Sequence, residues 1–207
     1  SQIISLSITP VDDVAVISGD LNATATEDST VHGDLNATDA DGLTDGSYFS
    51  VSLQPANGAA SINPVDGNWS YLPNLNFFGS DSFTLSITDD LNQSYSQIIS
   101  LSITPVDDVA VISGDLNATG TEDSTIFGDL NATDADGLTD GSYFSVSVQP
   151  ANGVSSVHPV DGNWSYLPSP NFFGTDSFTL TVTDDLNQSY SQIISLFITA
   201  VDDVAVI

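Results

Sequence analysis

The 207 residues include no lysine, no arginine, no cysteine and no methionine, whereas 26 aspartates and 2 glutamates give a formal net charge of −28. With no strong base in the chain, every strong charge repels every other, which favours solubility and opposes compaction unless cations gather on the surface. The missing bases exclude partners too. Nucleic-acid binding needs Lys and Arg to displace counterions from phosphate, and anionic membranes draw in basic segments, so no nucleic-acid partner and no direct membrane insertion are expected. No apolar run approaches the roughly 20 residues of a spanning helix. The chain shows no signal peptide and reads as a segment of a longer protein. The lack of cysteine removes disulfides and thiolate metal sites, and a chain without Lys or Arg offers trypsin-like proteases no cleavage site.

Disorder is not implied, because 40% of the residues are hydrophobic and 2 Trp, 6 Tyr and 10 Phe are present, enough for a core. The hexapeptide starting at Ser1 recurs at Ser96 and Ser191, a period of 95 residues, and 82 of 95 positions agree between the first two copies. A unit of this size is a domain rather than a solenoid repeat. The pattern that closes each copy is already present in Gln2 to Thr9, so the frames run from 14 to 104 and from 109 to 199. Residues 1–13 are then the last strand of an upstream copy with its linker, 105–108 an acidic linker, and 200–207 a linker and the first strand of a downstream copy.

Within a frame, short β-branched and aromatic runs alternate with Gly, Pro, Asn and Asp clusters, the pattern of strands and turns. Strands are predicted at 14–18, 23–26, 31–37, 48–53, 60–63, 69–72, 82–88 and 95–104. Phe83, Leu85 and Ile87, then Ile99, Leu101 and Ile103, repeat with period two, which buries one face and leaves the other wet. No stretch has a helical apolar period. The reading is all-β: tandem immunoglobulin-like β-sandwiches of about seven strands each.

The acids fall where strands stop: Asp12 and Asp13, Glu27 and Asp28, Asp39, Asp41 and Asp45, Asp89 and Asp90. They recur as Asp107, Asp108, Glu122, Asp123, Asp134, Asp136, Asp140, Asp184, Asp185, Asp202 and Asp203. Ca²⁺ takes six to eight oxygens from carboxylates, amides and carbonyls, whereas magnesium keeps its waters and zinc would want His or Cys. These acids are therefore the candidate calcium ligands. Loops at one end of a sandwich are expected to gather Glu27, the Asp39-Ala-Asp41 segment and the linker acids, with Gly42 allowing the turn.

At these residues the chain resembles known repeats. The segment 36–42 with its Asp-Ala-Asp-Gly is similar to the calcium motif of cadherins, Glu27 to the acid near the start of a cadherin repeat, and Val11-Asp-Asp to the acidic linker. Thr26-Glu-Asp, the segment from Gly33 to Asp41, Gly67-Asn-Trp-Ser-Tyr and the segment from Asn76 to Leu85 resemble more closely still the VCBS and cadherin-like repeats of large bacterial RTX-type adhesins. That resemblance covers both copies. It implies calcium-dependent extender domains on the cell surface that hold a terminal binding domain away from the cell. The linker is shorter than the Asp-x-Asn-Asp-Asn run of cadherins, and no Asp-Arg-Glu motif is present.

Every Asn-x-Ser/Thr sequon has Asp two residues earlier, the form bacterial N-glycosylation prefers, which makes Asn22, Asn36, Asn68, Asn92, Asn117, Asn131, Asn163 and Asn187 candidate glycosylation sites. His32 and His158 do not recur in the other copy and read as incidental. No Gly-x-Ser-x-Gly elbow is present, the Asp89 and Asp90 pair reads as turn or ligand acids, and no enzyme is expected. Trp69, Tyr71, Phe77 and Phe78 read as core rather than sugar-stacking residues. The leading expectation is an extracellular spacer stiffened by calcium at its acidic linkers, with neighbouring repeats of the same chain as its partners. The alternatives are a filament or matrix subunit that joins like molecules by strand addition, and a polysaccharide-binding module.

Overall fold

The computed structural model describes residues 2–9, 11–43, 46–138, 141 and 143–202. The chain divides into two compact units, Ser1–Val106 and Asp107–Ile207. Unit 1 contains β1 (Val16–Gly19), β2 (Asn22–Thr26), β3 (Val31–Thr38), β4 (Phe49–Leu53), β5 (Gly58–Ile62), β6 (Asn68–Pro73), β7 (Gly79–Thr88) and β8 (Ser94–Thr104). Unit 2 repeats them as β9 (Val111–Gly114), β10 (Asn117–Thr121), β11 (Ile126–Thr133), β12 (Phe144–Val148), β13 (Gly153–Val157), β14 (Asn163–Pro168), β15 (Gly174–Thr183) and β16 (Ser189–Thr199). Among the described residues there is no helix.

Each unit is a sandwich of two four-stranded sheets, ordered β1-β3-β6-β5 and β2-β8-β7-β4 in unit 1. The eight strands predicted for the unit are all present, and the chain changes sheet between β1 and β2. Gly19 (φ 114°) makes that step, with its neighbour's amide, Asp20 N, bonded to Asp34 O. An added Cβ there would meet the Asp34 carbonyl. β1 then pairs antiparallel with β3, whereas β2 pairs parallel with β8.

The predicted alternation holds on β7 and β8: Phe83, Leu85, Ile87, Ile99, Leu101 and Ile103 face Leu35, Trp69 and Tyr71 across the core. Trp69 meets Phe83 edge to face, ring centroids 5.5 Å apart. Burial of each large side chain of this kind contributes about 1.5–3 kcal/mol. The indole lies directly over Gly33, where a Cβ would sit 2.2 Å from the ring. In unit 2 the same core has drifted in step. Ile126 replaces Val31, and Gly120, against which Ile126 packs, replaces Ala25; an added Cβ at Gly120 would lie 2.4 Å from Ile126 Cγ1.

Residues 2–9, read as the closing strand of an upstream copy, form no strand in unit 1 and are exposed. The downstream strand expected at 204–207 lies outside the described residues.

Candidate functional site

Strand direction decides where the acids go. β2 ends just before Glu27, the chain reverses at Asp28, and β3 runs back to end just before Asp39, so Glu27 and Asp39 lie at opposite poles of the unit. Glu27 accompanies the end of β8, its amide donating to Thr104 O (3.0 Å). Asp39, Asp41 and Asp89 lie where β3 and β7 finish and β1 begins. The expected gathering of Glu27 with Asp39 and Asp41 by loops of one end is thus overturned, since consecutive antiparallel strands deliver successive acids to alternate poles.

At the N-terminal pole of unit 1 the linker folds onto the loops. The Asp13 amide donates to Asp41 Oδ2 (2.7 Å) and the Asp41 amide to Asp39 Oδ1 (2.7 Å). The Tyr95 hydroxyl lies 2.8 Å from Asp12 Oδ2 and 3.0 Å from the Asp13 carbonyl oxygen. Asp89, only 1% exposed, accepts the Leu91 and Gln93 amides on Oδ1, and the Asp90 amide donates to Gly42 O. Unit 2 repeats the arrangement: Asp108 N to Asp136 Oδ2, Asp136 N to Asp134 Oδ1, Tyr190 to Asp107 Oδ2 and the Asp108 carbonyl, Gln188 N to Asp184 Oδ1, and Asp185 N to Gly137 O.

At the C-terminal pole Glu27 Oε1 accepts the Val106 amide (2.7 Å), as Glu122 Oε1 accepts Val201 (2.6 Å). Asp28 and Asp123 are exposed, each accepting a loop amide, Asn76 and Asn171. Asp202 is exposed. Asp45, Asp140 and Asp203 lie outside the described residues.

The poles leave carboxylate oxygens without a protein donor. Glu27 Oε2, Asp39 Oδ2 and Asp89 Oδ2 in unit 1 are buried and unpartnered, as are Asp108 Oδ2, Asp134 Oδ2, Asp136 Oδ1 and Asp184 Oδ2 in unit 2. A buried carboxylate oxygen with nothing to accept from is costly, and the chain has no Lys or Arg to supply. The strain is visible in the acids. The Tyr95 bond pulls the Asp12 carboxyl down, but desolvation and the Asp89 and Asp41 charges outweigh it and hold it above its ordinary value. Desolvation likewise raises Asp134, helped by Asp184 and Asp136, against amides that pull it back. Tyr95 and Tyr190 are pushed up by their bonds to Asp12 and Asp107. Among the described residues no three acids converge closely enough to hold a metal as they stand. The donor set is nevertheless all oxygen, which suits calcium rather than zinc.

Other candidates fall elsewhere. Both histidines are exposed, and His158 Nδ1 contacts Asp161 (3.0 Å). Trp69 and Tyr71 are core, and Phe77 is half-buried, but Phe78 is 42% exposed, because it sits in the loop before β7 rather than on its inner face. All eight sequon asparagines are exposed. Sequence reasoning missed Tyr95, Tyr190 and Asp81. Asp81 and its counterpart Asp176 each accept a tyrosine hydroxyl and three backbone amides inside the unit. The signal was parity: Asp81 is in phase with Phe83 and Leu85, on the inward face.

Residues 12–105 match the bacterial cadherin-like domain family and residues 107–197 the bacterial Ig domain family. No curated protein matches the chain. Among solved structures it is similar to the extracellular cadherin domains 3–6 of protocadherin gamma B2 (12% identity, TM-score 0.60, 92% of this chain and 48% of that one). It is also similar to the protocadherin gamma B4 extracellular domain (15%, TM-score 0.57, 89% and 32%) and to domains EC22–24 of mouse cadherin-23 (16%, TM-score 0.52, 90% and 65%). The chain thus spans about half the length of the first of these structures, and the likeness is one of fold. It is a bacterial cadherin-like domain and a bacterial Ig domain in tandem.

Proposed function

We propose that the two units are spacer domains of an extracellular bacterial adhesin or surface fibre, made rigid by calcium bound at their acidic poles. The linker acids Asp12, Asp13, Asp107 and Asp108, with Asp39, Asp41, Asp89 and their counterparts, supply the oxygens. Glu27 and Glu122 bind the backbone that leaves each unit. The carrying observation is the set of buried carboxylate oxygens with no protein donor, which an oxygen-seeking cation would satisfy. An ion bound only by the folded pole stabilises it by about 2.7 kcal/mol at a hundredfold excess over Kd. Nothing in the arrangement requires catalysis.

Scanning calorimetry and small-angle scattering in calcium, magnesium and chelator test this. Chelation is expected to lower Tm by more than about 10 °C and to broaden the distribution of dimensions, with magnesium restoring little of either. Unchanged melting and scattering would overturn the calcium reading. Intact mass of the native protein tests the exposed sequons; an unshifted mass rules glycosylation out.

One observation favours strand addition as a second reading. Residues 2–9 repeat residues 97–104 of β8, yet Ile4 is 84% and Ile8 91% exposed where Ile99 and Ile103 are core. Fibres seen by electron microscopy that vanish on deletion of residues 1–9 would support it.

A further inference from the structure

In a chain of net charge −28, one sheet face of unit 2 carries no acid. Along β10, β12, β15 and β16 the outward positions are Ser, Thr, Asn and three apolar side chains, Val148, Ile193 and Phe197. The opposite sheet is different, with Asp129 exposed on β11. At one end of the neutral face the register builds a grid: Phe197 lies between Thr119 and Thr175, and Ser195, two residues along β16, lies between Asn117 and Ser177. Phe197 is 51% exposed, and a shallow groove of about 350 Å³ runs beside it over these residues. A second hollow of about 440 Å³ continues past Thr175 and Ser177 to Asn152. Asp176 lines it, but its carboxylate is already bonded to Tyr166 and three amides.

Unit 1 builds the same grid without the ring. Ser102 lies between Thr24 and Ser80, and Ser100 between Asn22 and Ser82. The aromatic is therefore not needed for the fold, and half of its surface stays in water.

We infer that this face of unit 2 is a binding platform for a neutral polysaccharide, with Phe197 stacking on the apolar face of one sugar ring while Thr119, Thr175, Asn117 and Ser195 exchange hydrogen bonds with its hydroxyls. An aromatic ring provides apolar area at low entropic cost, and hydroxyl and amide side chains both donate and accept, as sugar hydroxyls do. Charge selects the occupant. An anionic polymer is repelled by the surrounding carboxylates, a basic partner is drawn to the poles instead, and a second copy brings its own negative charge. A neutral hydroxylated chain meets none of these obstacles.

The test is a titration of ¹⁵N-labelled, unglycosylated two-unit protein in calcium with cellohexaose and maltohexaose, and with trigalacturonate as the anionic control. Amide shifts are expected at residues 117–119, 175–177 and 195–197 with a neutral sugar, and none at 22–24, 80–82 and 100–102. Phe197→Ser, which installs the residue unit 1 folds with, should weaken binding at least tenfold, and Ser102→Phe should create a second set of shifts in unit 1. The proposal fails if no neutral sugar shifts these amides, if the shifts survive Phe197→Ser, or if trigalacturonate matches them. It also fails if the same amides move with protein concentration alone, which would assign the face to a second copy.

Discussion

Asp81 and Asp89 belong to the same strand, one near the start of β7 and one just past its end, and they are used in opposite ways. Asp81 accepts the amides of Ala56, Asn57 and Ser82 and the Tyr71 hydroxyl, so both its oxygens are engaged by the unit itself. Asp89 is more deeply buried, yet only Oδ1 has donors and Oδ2 has none. The first ties the β4–β5 connection to β6 and β7 as a neutral polar network would. The second carries an unanswered charge into a crowded pole. In a chain without Lys or Arg, the number of donors around an acid thus separates carboxylates that build the sandwich from those proposed as cation ligands.

The comparison breaks most visibly at Asp81. Asp81→Ala removes the acceptor of three backbone amides and leaves the Tyr71 hydroxyl only the Asn57 carbonyl, and should cost about 3 kcal/mol or more, lowering the unit 1 melting transition by more than about 10 °C to the same extent in calcium and in chelator. A deficit that depended on calcium would place Asp81 among the ion ligands instead. Asp89→Asn keeps the Oδ1 acceptor and removes the charge. In chelator, unit 1 should melt within a few degrees of wild type or slightly higher, because repulsion with Asp12 is relieved. In calcium it should lose about 2–3 kcal/mol of the ion's stabilisation, with unit 2 unaffected; two transitions by calorimetry would show this, and an equal loss in chelator would contradict it.

The smallest effect is on pH dependence. Asp12 and Asp134 have folded values raised above their unfolded ones. Their contribution is therefore fully present below the unfolded carboxylate value of about 3.9 and is lost as pH rises through the folded value. In chelator, Tm should rise modestly from about pH 7 towards about pH 4.5, and in calcium it should fall over the same range as protons displace the ion. Parallel trends in the two buffers would remove the distinction between the two kinds of acid.

The strands were legible in the sequence because alternation and turn residues are local. Phe83 to Ile87 and Ile99 to Ile103 announce their inner face directly, whereas the change of sheet between β1 and β2 turns on a single glycine at 19. Direction was not legible. The sequence places Glu27 and Asp39 twelve residues apart, and only the reversal between β2 and β3 shows that they serve opposite poles. Tyr95 was hidden for a related reason: its partner Asp12 is distant in sequence. The two units differ at 15 of 95 aligned positions, 12–106 against 107–201, and match two different families, yet they share strand order and register throughout.

The paired change of Ala25 and Val31 to Gly120 and Ile126 also limits how such repeats can be rearranged. A crossover between the two copies that fell within that hairpin would unite Ala with Ile, overfilling the core by a methyl group, or Gly with Val, leaving it short. Each mismatch costs on the order of 1–3 kcal/mol. Near-identical repeats invite recombination, and this packed pair favours exchange of the β2–β3 hairpin as a whole.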